Sequence, residues 1–126
     1  MSAVESGTHT VRLTVPAKPE YIVLTRLALS AVCRLTPLQP EDVADLKLAV
    51  TEAATGLVRE DSNEQLSCEY GLGDDRLVLL LDGPENQALS PEEQELGRAI
   101  IRATVDECEF GDGTVTLIKY LDEAEQ

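Results

Sequence analysis

Hydrophobic and polar residues follow two different periods along this chain, and these periods predict its first elements. Apolar side chains at alternate positions of residues 10–15 predict a strand that Pro16 ends. From Pro19 to about Leu35 the apolar residues recur at helical spacing, which predicts a helix. The stripe that we expect to face the core contains Leu24, Leu27 or Ala28, Ala31 and Leu35.

A second helix is predicted from Pro40 to about Arg59. Proline suits the first turn of a helix because an N–H at that position would have no partner within the helix. Glu41 and Asp42 follow, and their carboxylates favour the positive end of the helix dipole. The positions predicted to face the core are Val43, Leu46, Val50, Ala53 and Leu57.

The middle of the chain returns to strand patterns. Leu66, Cys68 and Tyr70 alternate with polar residues, and a Gly/Asp turn follows them. Residues 77–81 form a continuous apolar run, which is typical of a strand buried on both faces. We therefore place this run at the centre of a sheet, with a loop over residues 82–87 after it.

The last third of the chain begins with a helix start. Ser90 caps it, Pro91 takes the first helical position and Glu93 closes a capping box. The helix then carries Leu96, Ile100 and Ala103 at helical spacing. A Gly-Asp-Gly turn at residues 111–113 leads into a closing strand over residues 114–121.

The order of elements predicts an α+β fold. Strands joined by short Gly/Asp turns pair antiparallel, and the helices come in blocks rather than alternating with strands. We expect a two-layer α/β sandwich whose mixed, mainly antiparallel sheet is covered by helices on one face. Residues 9–121 should form a single domain, between a flexible tail over residues 1–8 and an acidic tail over residues 122–126.

The negative net charge of the chain argues against nucleic acids and anionic membranes as binding partners. The net charge is −14, whereas contacts to nucleic-acid phosphates or to an anionic membrane need Lys and Arg. The acidity is compatible with solubility alone or with a basic protein partner. The sequence shows neither a signal peptide nor an apolar run long enough to span a membrane, which predicts a cytoplasmic protein.

Cysteine and histidine are too scattered for a metal site. Cys33, Cys68 and Cys108 lie far apart, and the single histidine, His9, is close to the N-terminus. Zinc ligands come at short spacings, so we predict no metal ligated by the chain. An odd number of scattered cysteines indicates buried thiols in a reducing compartment.

Several segments, in this order along the chain, carry a family resemblance. Arg26 lies in the first helix, and residues 48–55, Leu-Ala-Val-Thr-Glu-Ala-Ala-Thr, lie in the second and include Glu52. Asp82-Gly83 follows the central strand, and residues 97–110 open with a glycine and contain Asp-Glu near their end. Together, over about residues 9–121, they resemble the GHKL (Bergerat) ATPase domains of bacterial anti-sigma factors, the RsbW-type serine kinases.

The resemblance implies a Bergerat (histidine-kinase-like ATPase) fold and roles for three residues. Glu52 is either the general base of the family's kinases or a solvated carboxylate at the border of an amphipathic helix. Asp82 is either the acceptor for the amine of adenine or a turn-forming aspartate at a strand end. Arg26 is either a partner-binding arginine or a solvated surface charge.

Three parts of the family's ATP site are changed in this chain. The asparagine that binds Mg²⁺ lies four residues after the glutamate, where Gly56 offers no side-chain ligand. The Asp-x-Gly-x-Gly loop has Pro84 and Asn86 in place of its glycines, and proline lacks an N–H donor. In the lid, Glu95 replaces the first of two glycines and only Gly97 remains.

The helix that replaces the lid is also acidic. It begins with Glu92, Glu93 and Glu95, each of which would repel a triphosphate by about 1 kcal/mol at exposed distances. We therefore predict a degenerate ATP site, in which Glu52 is the one residual catalytic candidate. Its positions are Glu52, Gly56, Asp82 and Gly97.

These changes predict a regulator of transcription rather than an enzyme. The chain is expected to act as an anti-sigma factor that binds a sigma factor directly, with Arg26 at the contact and no kinase activity. The resemblance also implies a homodimer and an anti-anti-sigma antagonist. We expect no cofactor; ATP and Mg²⁺ apply only if the degenerate site still binds them.

Two alternative functions stay open. One is an active ATP-dependent serine-protein kinase that phosphorylates an anti-anti-sigma antagonist, or, as a weaker variant, a chain that binds nucleotide without catalysis. The other is a GHKL-like scaffold whose partner is not a sigma factor. An open cleft beneath the second helix would favour retained nucleotide binding, whereas a cleft filled by side chains or by residues 84–96 would favour protein binding alone.

Overall fold

The computed structural model describes residues 9–121, which build three α-helices and five strands around a hydrophobic core. The predicted tails at residues 1–8 and 122–126 lie outside the described residues. A short 3₁₀ turn, Pro19–Tyr21, precedes the first α-helix. In chain order the elements are β1 His9–Pro16, α1 Ile22–Cys33, α2 Pro40–Thr55, β2 Gln65–Leu72, β3 Arg76–Asp82, α3 Pro91–Thr104, β4 Glu107–Gly111 and β5 Thr114–Tyr120.

The strands form one sheet in the order β1-β2-β3-β5-β4. Helices cover one face of it, which confirms the predicted α+β sandwich. The sheet is not mixed: every strand pair within residues 9–121 is antiparallel. The turn at Gly113 folds β5 back against β4, so that β5 lies between β3 and β4 and runs antiparallel to both. Gly113 has a φ of 72°, a conformation that glycine adopts without steric cost.

The central position predicted for the apolar run is confirmed. Leu77, Leu79 and Leu81 of β3 are fully buried on the side that faces the helices. Val78 is buried on the opposite side, because successive side chains of a strand point to opposite faces. None of the helices in this part of the chain has the length and apolar character of a membrane span.

The core-facing stripe predicted for α1 is wrong. Leu27 and Leu35 are 61% and 72% exposed, although Ala28, the alternative to Leu27, packs against the core. Because α1 is apolar on nearly every side, spacing alone does not select the face that it buries. The residues that α1 buries are Ile22, Thr25, Leu29, Val32 and Cys33.

Thr25 and Tyr70 fix the orientation of α1. The Thr25 hydroxyl donates to the carbonyl of Ile22 at 2.6 Å, so this buried polar group is satisfied within its own helix. The hydroxyl of Tyr70, from β2, donates to the carbonyl of Thr25 at 2.8 Å. This hydrogen bond therefore holds the Thr25 side of α1 against the sheet. The side with Leu27 faces outwards as a result.

The second helix ends at Thr55, before the predicted end near Arg59. Leu57 and Val58 are both buried, and a continuing helix would turn one of these neighbours about 100° away from the core. The chain instead extends, and the N–H of Arg59 donates to the carbonyl of Ala17 at 2.9 Å. The predicted core positions before this point are confirmed, with Val43 only partly buried.

The capping box of α3 is confirmed. The Ser90 hydroxyl accepts from the N–H of Glu93 at 3.1 Å, and the Glu93 carboxylate accepts from the N–H of Ser90 at 2.8 Å. The residue that α3 buries is Ile101, whereas Leu96 is 63% exposed. Leu96 therefore lies on the surface, near Gly56 at the C-terminal end of α2.

Alkaline pH should destabilise the fold through Cys68. This β2 thiol is fully buried, and burial raises its pKa from 9.0 to about 12, against a smaller lowering by the neighbouring Tyr70 hydroxyl. The unfolded thiol loses its proton near pH 9 while the folded one keeps it. Stability is therefore fully present below pH 9 and falls towards pH 12, by at most about 1.4 kcal/mol per pH unit from this group.

Urea denaturation at a series of pH values measures this effect. The buried Tyr70 hydroxyl, whose pKa burial also raises, adds a loss of the same sign above pH 10. In the Cys68→Ala variant the unfolding free energy should fall less steeply between pH 9 and pH 12. The slope should be shallower by about 1.4 kcal/mol per pH unit, which is the contribution of one proton. Equal slopes in the parent and the variant would contradict the assignment to Cys68.

Candidate functional site

A cavity of about 260 Å³ lies between α2, α3, the loop after β3 and the β4–β5 hairpin. This volume is slightly below the roughly 300–1,000 Å³ of pockets for drug-sized ligands. Its polar side chains include Glu52, Glu85, Glu93 and Arg98. Its apolar wall includes Ala53, Leu57, Leu89, Ile100, Ile101 and Phe110.

The structure brings together Glu52, Gly56 and Gly97 at this cavity. Glu52 is half-buried on α2, and Gly97 lies opposite it on α3. A Cβ atom at Gly97 would lie 3.2 Å from the Glu52 carboxylate, so the glycine leaves room for this carboxylate beside α3. Three of the four positions predicted for the ATP site are thus neighbours in space.

Gly56 caps the C-terminal end of α2. Its N–H donates to the carbonyls of Glu52 and Ala53, at 3.3 and 3.2 Å. A Cβ atom here would meet nothing closer than the Ala53 carbonyl at 3.6 Å, so the position has room for a side chain. Packing therefore does not require a glycine at position 56. The glycine leaves this wall of the cavity without a side-chain oxygen that could bind a metal ion.

Asp82 and Arg26 lie apart from the cavity. Asp82 is exposed at the end of β3, opposite Ser67 of β2 and Thr114 of β5. Arg26 is half-buried between α1 and α2, with its Nη1 atom 3.4 Å from the hydroxyl of Thr51. The adenine contact of Asp82 and the partner contact of Arg26 stay predictions.

The loop after β3 is fixed to both of its neighbours. The N–H of Gly83 donates to the carbonyl of Gly113 at 3.0 Å, and the Glu85 carboxylate accepts from the N–H of Gly113 at 3.2 Å. Pro84, at the position predicted for the first loop glycine, is buried. The loop therefore has hydrogen bonds to the β4–β5 hairpin on one side of the cavity.

Asn86, at the position predicted for the second loop glycine, holds the other side of the loop against α2. Its side-chain amide donates to the carbonyl of Thr55 at 2.9 Å, and its backbone N–H donates to the carbonyl of Gly56 at 3.0 Å. Its side-chain oxygen accepts from the N–H of Ala88 at 3.0 Å. The asparagine thus satisfies carbonyls that the end of α2 leaves unpaired.

Replacing Asn86 with alanine should lower the free energy of unfolding by about 1–2 kcal/mol. The variant loses two side-chain hydrogen bonds, each worth about 0.5–1.5 kcal/mol net, and it keeps the backbone bond to Gly56. Urea denaturation measures the change. The control is Gln87→Ala at the next, exposed position, and equal losses in the two variants would contradict the role of Asn86.

The acidic start of α3 is only partly directed at the cavity. Of its three glutamates Glu93 alone lines the cavity, and the Glu95 carboxylate instead pairs with Arg102 at 3.1 Å. Glu52 and Glu85 supply the other carboxylates of the cavity. The cavity therefore has three carboxylates, but they come from three different elements rather than from the start of one helix.

Sequence reasoning missed Arg98 and Phe110. The Arg98 guanidinium lies 4.7 Å from the centre of the Phe110 ring, and that of Arg102 lies 5.4 Å from it. Both distances are within the range of cation–π attraction. The available sign was that Phe110 is the only phenylalanine of the chain, in a sequence with few aromatic residues.

Asp106 and Glu107 both accept hydrogen bonds from Tyr120 of β5. Asp106 accepts from the N–H of Tyr120 at 2.7 Å and lies 3.8 Å from the ammonium group of Lys119. Glu107 accepts from the Tyr120 hydroxyl. Over residues 9–121, no group of three Asp, Glu, Cys or His side chains is arranged to hold a metal ion.

Comparison with known proteins identifies the family. The profile of the histidine kinase-like ATPase domain matches residues 15–119. The serine-protein kinase RsbW of Bacillus subtilis is 34% identical over 116 residues, which cover 88% of this chain and 72% of that protein. The chain belongs to the RsbW-type serine-protein kinases of the histidine kinase-like ATPase family.

Other RsbW proteins show the same likeness. That of Oceanobacillus iheyensis is 33% identical over 116 residues, covering 88% of this chain and 73% of the relative. That of Listeria monocytogenes is 38% identical over 93 residues, which cover 69% of this chain and 59% of the relative. This family membership confirms the resemblance that the sequence segments indicated together.

Proposed function

We propose that this RsbW-type chain regulates transcription as an anti-sigma factor, by binding a sigma factor in the cytoplasm without transferring a phosphoryl group. The observation that carries the proposal is the cavity at Gly56. Where the family resemblance places the Mg²⁺ ligand, the glycine offers no side-chain oxygen. The proposed partners are a sigma factor, an anti-anti-sigma antagonist and a second copy of the chain.

The residues of the cavity do not fit Mg²⁺-ATP. Magnesium requires oxygen ligands in nearly octahedral geometry, and without an asparagine at position 56 only phosphates and water would supply them. A triphosphate would also face the carboxylates of Glu52, Glu85 and Glu93. The lining cation, Arg98, already lies over the Phe110 ring.

The outward stripe of α1 supports protein binding. We define the α1 stripe as Leu24, Leu27 and Ala31 of α1 together with Leu35 in the turn that follows it, all of which are exposed. Residues 21–40 contain two arginines and no carboxylate, in a chain whose net charge is −14. Two copies would repel each other least where carboxylates are absent, so we assign the α1 stripe to a two-fold contact between copies.

Arg26 supports a separate contact with the sigma factor. It lies on the side of α1 that faces α2, where Thr51 is within hydrogen-bonding reach, rather than on the α1 stripe. A half-buried guanidinium beside a hydroxyl still has free N–H donors for a partner's carboxylates or carbonyls. The dimer contact and the sigma-factor contact are thereby kept on different sides of one helix.

A phosphoryl-transfer assay tests the proposal. The chain is incubated with candidate antagonist proteins, Mg²⁺ and ATP labelled on its γ-phosphate, with the Bacillus subtilis RsbW and its antagonist as the active control. We expect no label on protein. We expect the same for Gly56→Asn, because Pro84 and the cavity carboxylates remain. Transfer by the parent chain would overturn the proposal.

Nucleotide binding without transfer is the second candidate. One observation favours it: residues 84–96 line the cavity but leave about 260 Å³ of it open. Thermal denaturation with ATP or ADP tests it, because a ligand at 100 times its dissociation constant stabilises the folded state by about 2.7 kcal/mol. An unchanged melting temperature at millimolar nucleotide would exclude this candidate.

A further inference from the structure

We propose that the cavity binds a small organic cation with a flat apolar body, such as an aryl amidine or an arylalkylamine, and rejects phosphorylated nucleotides. The proposal rests on the proposed loss of phosphoryl transfer and gives the altered cavity a ligand of its own. Three features of the lining carry it: an apolar wall, an excess of carboxylates and an aromatic ring that already attracts cations.

The apolar wall provides room for one ring system. Ala53 and Leu57 come from α2, Ile100 and Ile101 from α3, and Phe110 from β4. The volume of about 260 Å³ is slightly smaller than that of pockets for drug-sized ligands. A single ring with a short polar group matches this space better than a nucleotide with its phosphates.

The carboxylates of the cavity lack cationic partners. Glu85 accepts from the N–H of Gly113, and Glu93 accepts from the N–H of Ser90. Within residues 9–121, neither of them nor Glu52 takes part in a salt bridge. With Arg98 as the lining cation, the lining keeps an excess of negative charge, which attracts a cation and repels an anion.

Phe110 marks where a cation is stable in this cavity. Two guanidinium groups, those of Arg98 and Arg102, lie within 5.4 Å of its ring centre. Arg102 is also paired with Glu95, whereas Arg98 lines the cavity itself. The cavity thus already has one cation, that of Arg98, against the Phe110 ring, and a ligand cation would use the same kind of attraction together with that of the carboxylates.

An isosteric series of probes separates charge from shape. Benzamidine, benzamide and benzoate share one ring and nearly one volume but are cationic, neutral and anionic. Binding is followed by backbone amide shifts in the isotope-labelled full chain. We expect benzamidine to bind about tenfold more tightly than benzamide, with saturable shifts at Gly56, Gly97 and Gly111, which line the cavity. Benzoate and ATP should give no saturable shifts there.

A matched pair of variants assigns the selectivity to the cavity. Glu52→Gln should weaken benzamidine binding about threefold to tenfold and leave benzamide binding unchanged, since only the charge is removed. Glu92→Gln, at an exposed position on α3 outside the lining, should change neither. Equal effects of the two variants on benzamidine binding would overturn the proposal.

Other outcomes also decide between the proposals. Binding of benzoate or ATP as tight as that of benzamidine, or no saturable benzamidine shift at the cavity, would overturn the cation site. The proposed function would survive that result as long as no phosphoryl group reaches a protein. Phosphoryl transfer in the labelled-ATP assay would instead overturn the proposed function, whatever benzamidine does.

Discussion

Replacing Gly83 with alanine is expected to lower the free energy of unfolding by about 3 kcal/mol. A Cβ atom at this position would lie 2.6 Å from the carbonyl oxygen of Leu57, closer than any real contact allows. It would also lie 3.2 Å from the Leu66 side chain. The clash is with backbone, so relief requires the loop after β3 to move away from the end of α2.

Neither side of this contact is free to move. Leu57 is buried, and its N–H donates to the carbonyl of Ala54 at 2.9 Å. Gly83 is held from the opposite side by its hydrogen bond to Gly113 at 3.0 Å. The variant therefore has to break one of these contacts or distort the backbone, either of which costs energy of this order.

Gly56→Ala is the matched control for Gly83→Ala. It adds the same methyl group near the same cavity, but its nearest neighbour would be the Ala53 carbonyl at 3.6 Å. The φ of Gly56 is −78°, which alanine adopts without strain. Its unfolding free energy should stay within about 0.5 kcal/mol of the parent in urea denaturation. Equal losses in the two variants would contradict this account of the packing.

Replacing Leu27 with glutamate is expected to convert the proposed homodimer into a monomer. Leu27 is 61% exposed in the single chain, so the fold itself should be unaffected. At the centre of a contact between two α1 stripes, the glutamate would be buried among the apolar side chains of both copies. Such a charge costs about 3–5 kcal/mol, which corresponds to at least a hundredfold loss in dimer affinity.

Light scattering after size-exclusion chromatography measures this prediction. The parent should have twice the mass of the 13.7 kDa chain, and Leu27→Glu should have the mass of one chain. Leu96→Glu is the control, because Leu96 is 63% exposed on α3 and lies off the α1 stripe. A monomeric parent, or a Leu27→Glu variant that remains dimeric, would contradict the assignment of the α1 stripe.

Local chemistry in the sequence was sufficient to predict most of the fold. The proline and acidic residues at the start of α2, the capping box at Ser90 and the apolar run of β3 each have one physical interpretation, and the structure has them all. The face that α1 buries could not be predicted in this way. It depends on a hydrogen bond between Tyr70 and Thr25, residues that are far apart in sequence.

The candidate site was predictable only in part for a similar reason. Glu52 and Gly56 are one helical turn apart, so their proximity follows from α2 alone. Glu85 and Phe110 reach the cavity because the loop after β3 is bonded to the β4–β5 hairpin at Gly113. Such contacts between distant segments depend on the tertiary structure, and no spacing in the sequence indicates them.

The most direct test of the proposed function is a calorimetric titration of the chain with each sigma factor of its own genome, with and without Mg²⁺-ATP. The account predicts that one sigma factor binds with a dissociation constant of about 1 μM or lower, near −8 kcal/mol. It also predicts that Mg²⁺-ATP leaves this constant unchanged. Absence of binding to every sigma factor, or an affinity that depends on Mg²⁺-ATP, would contradict it.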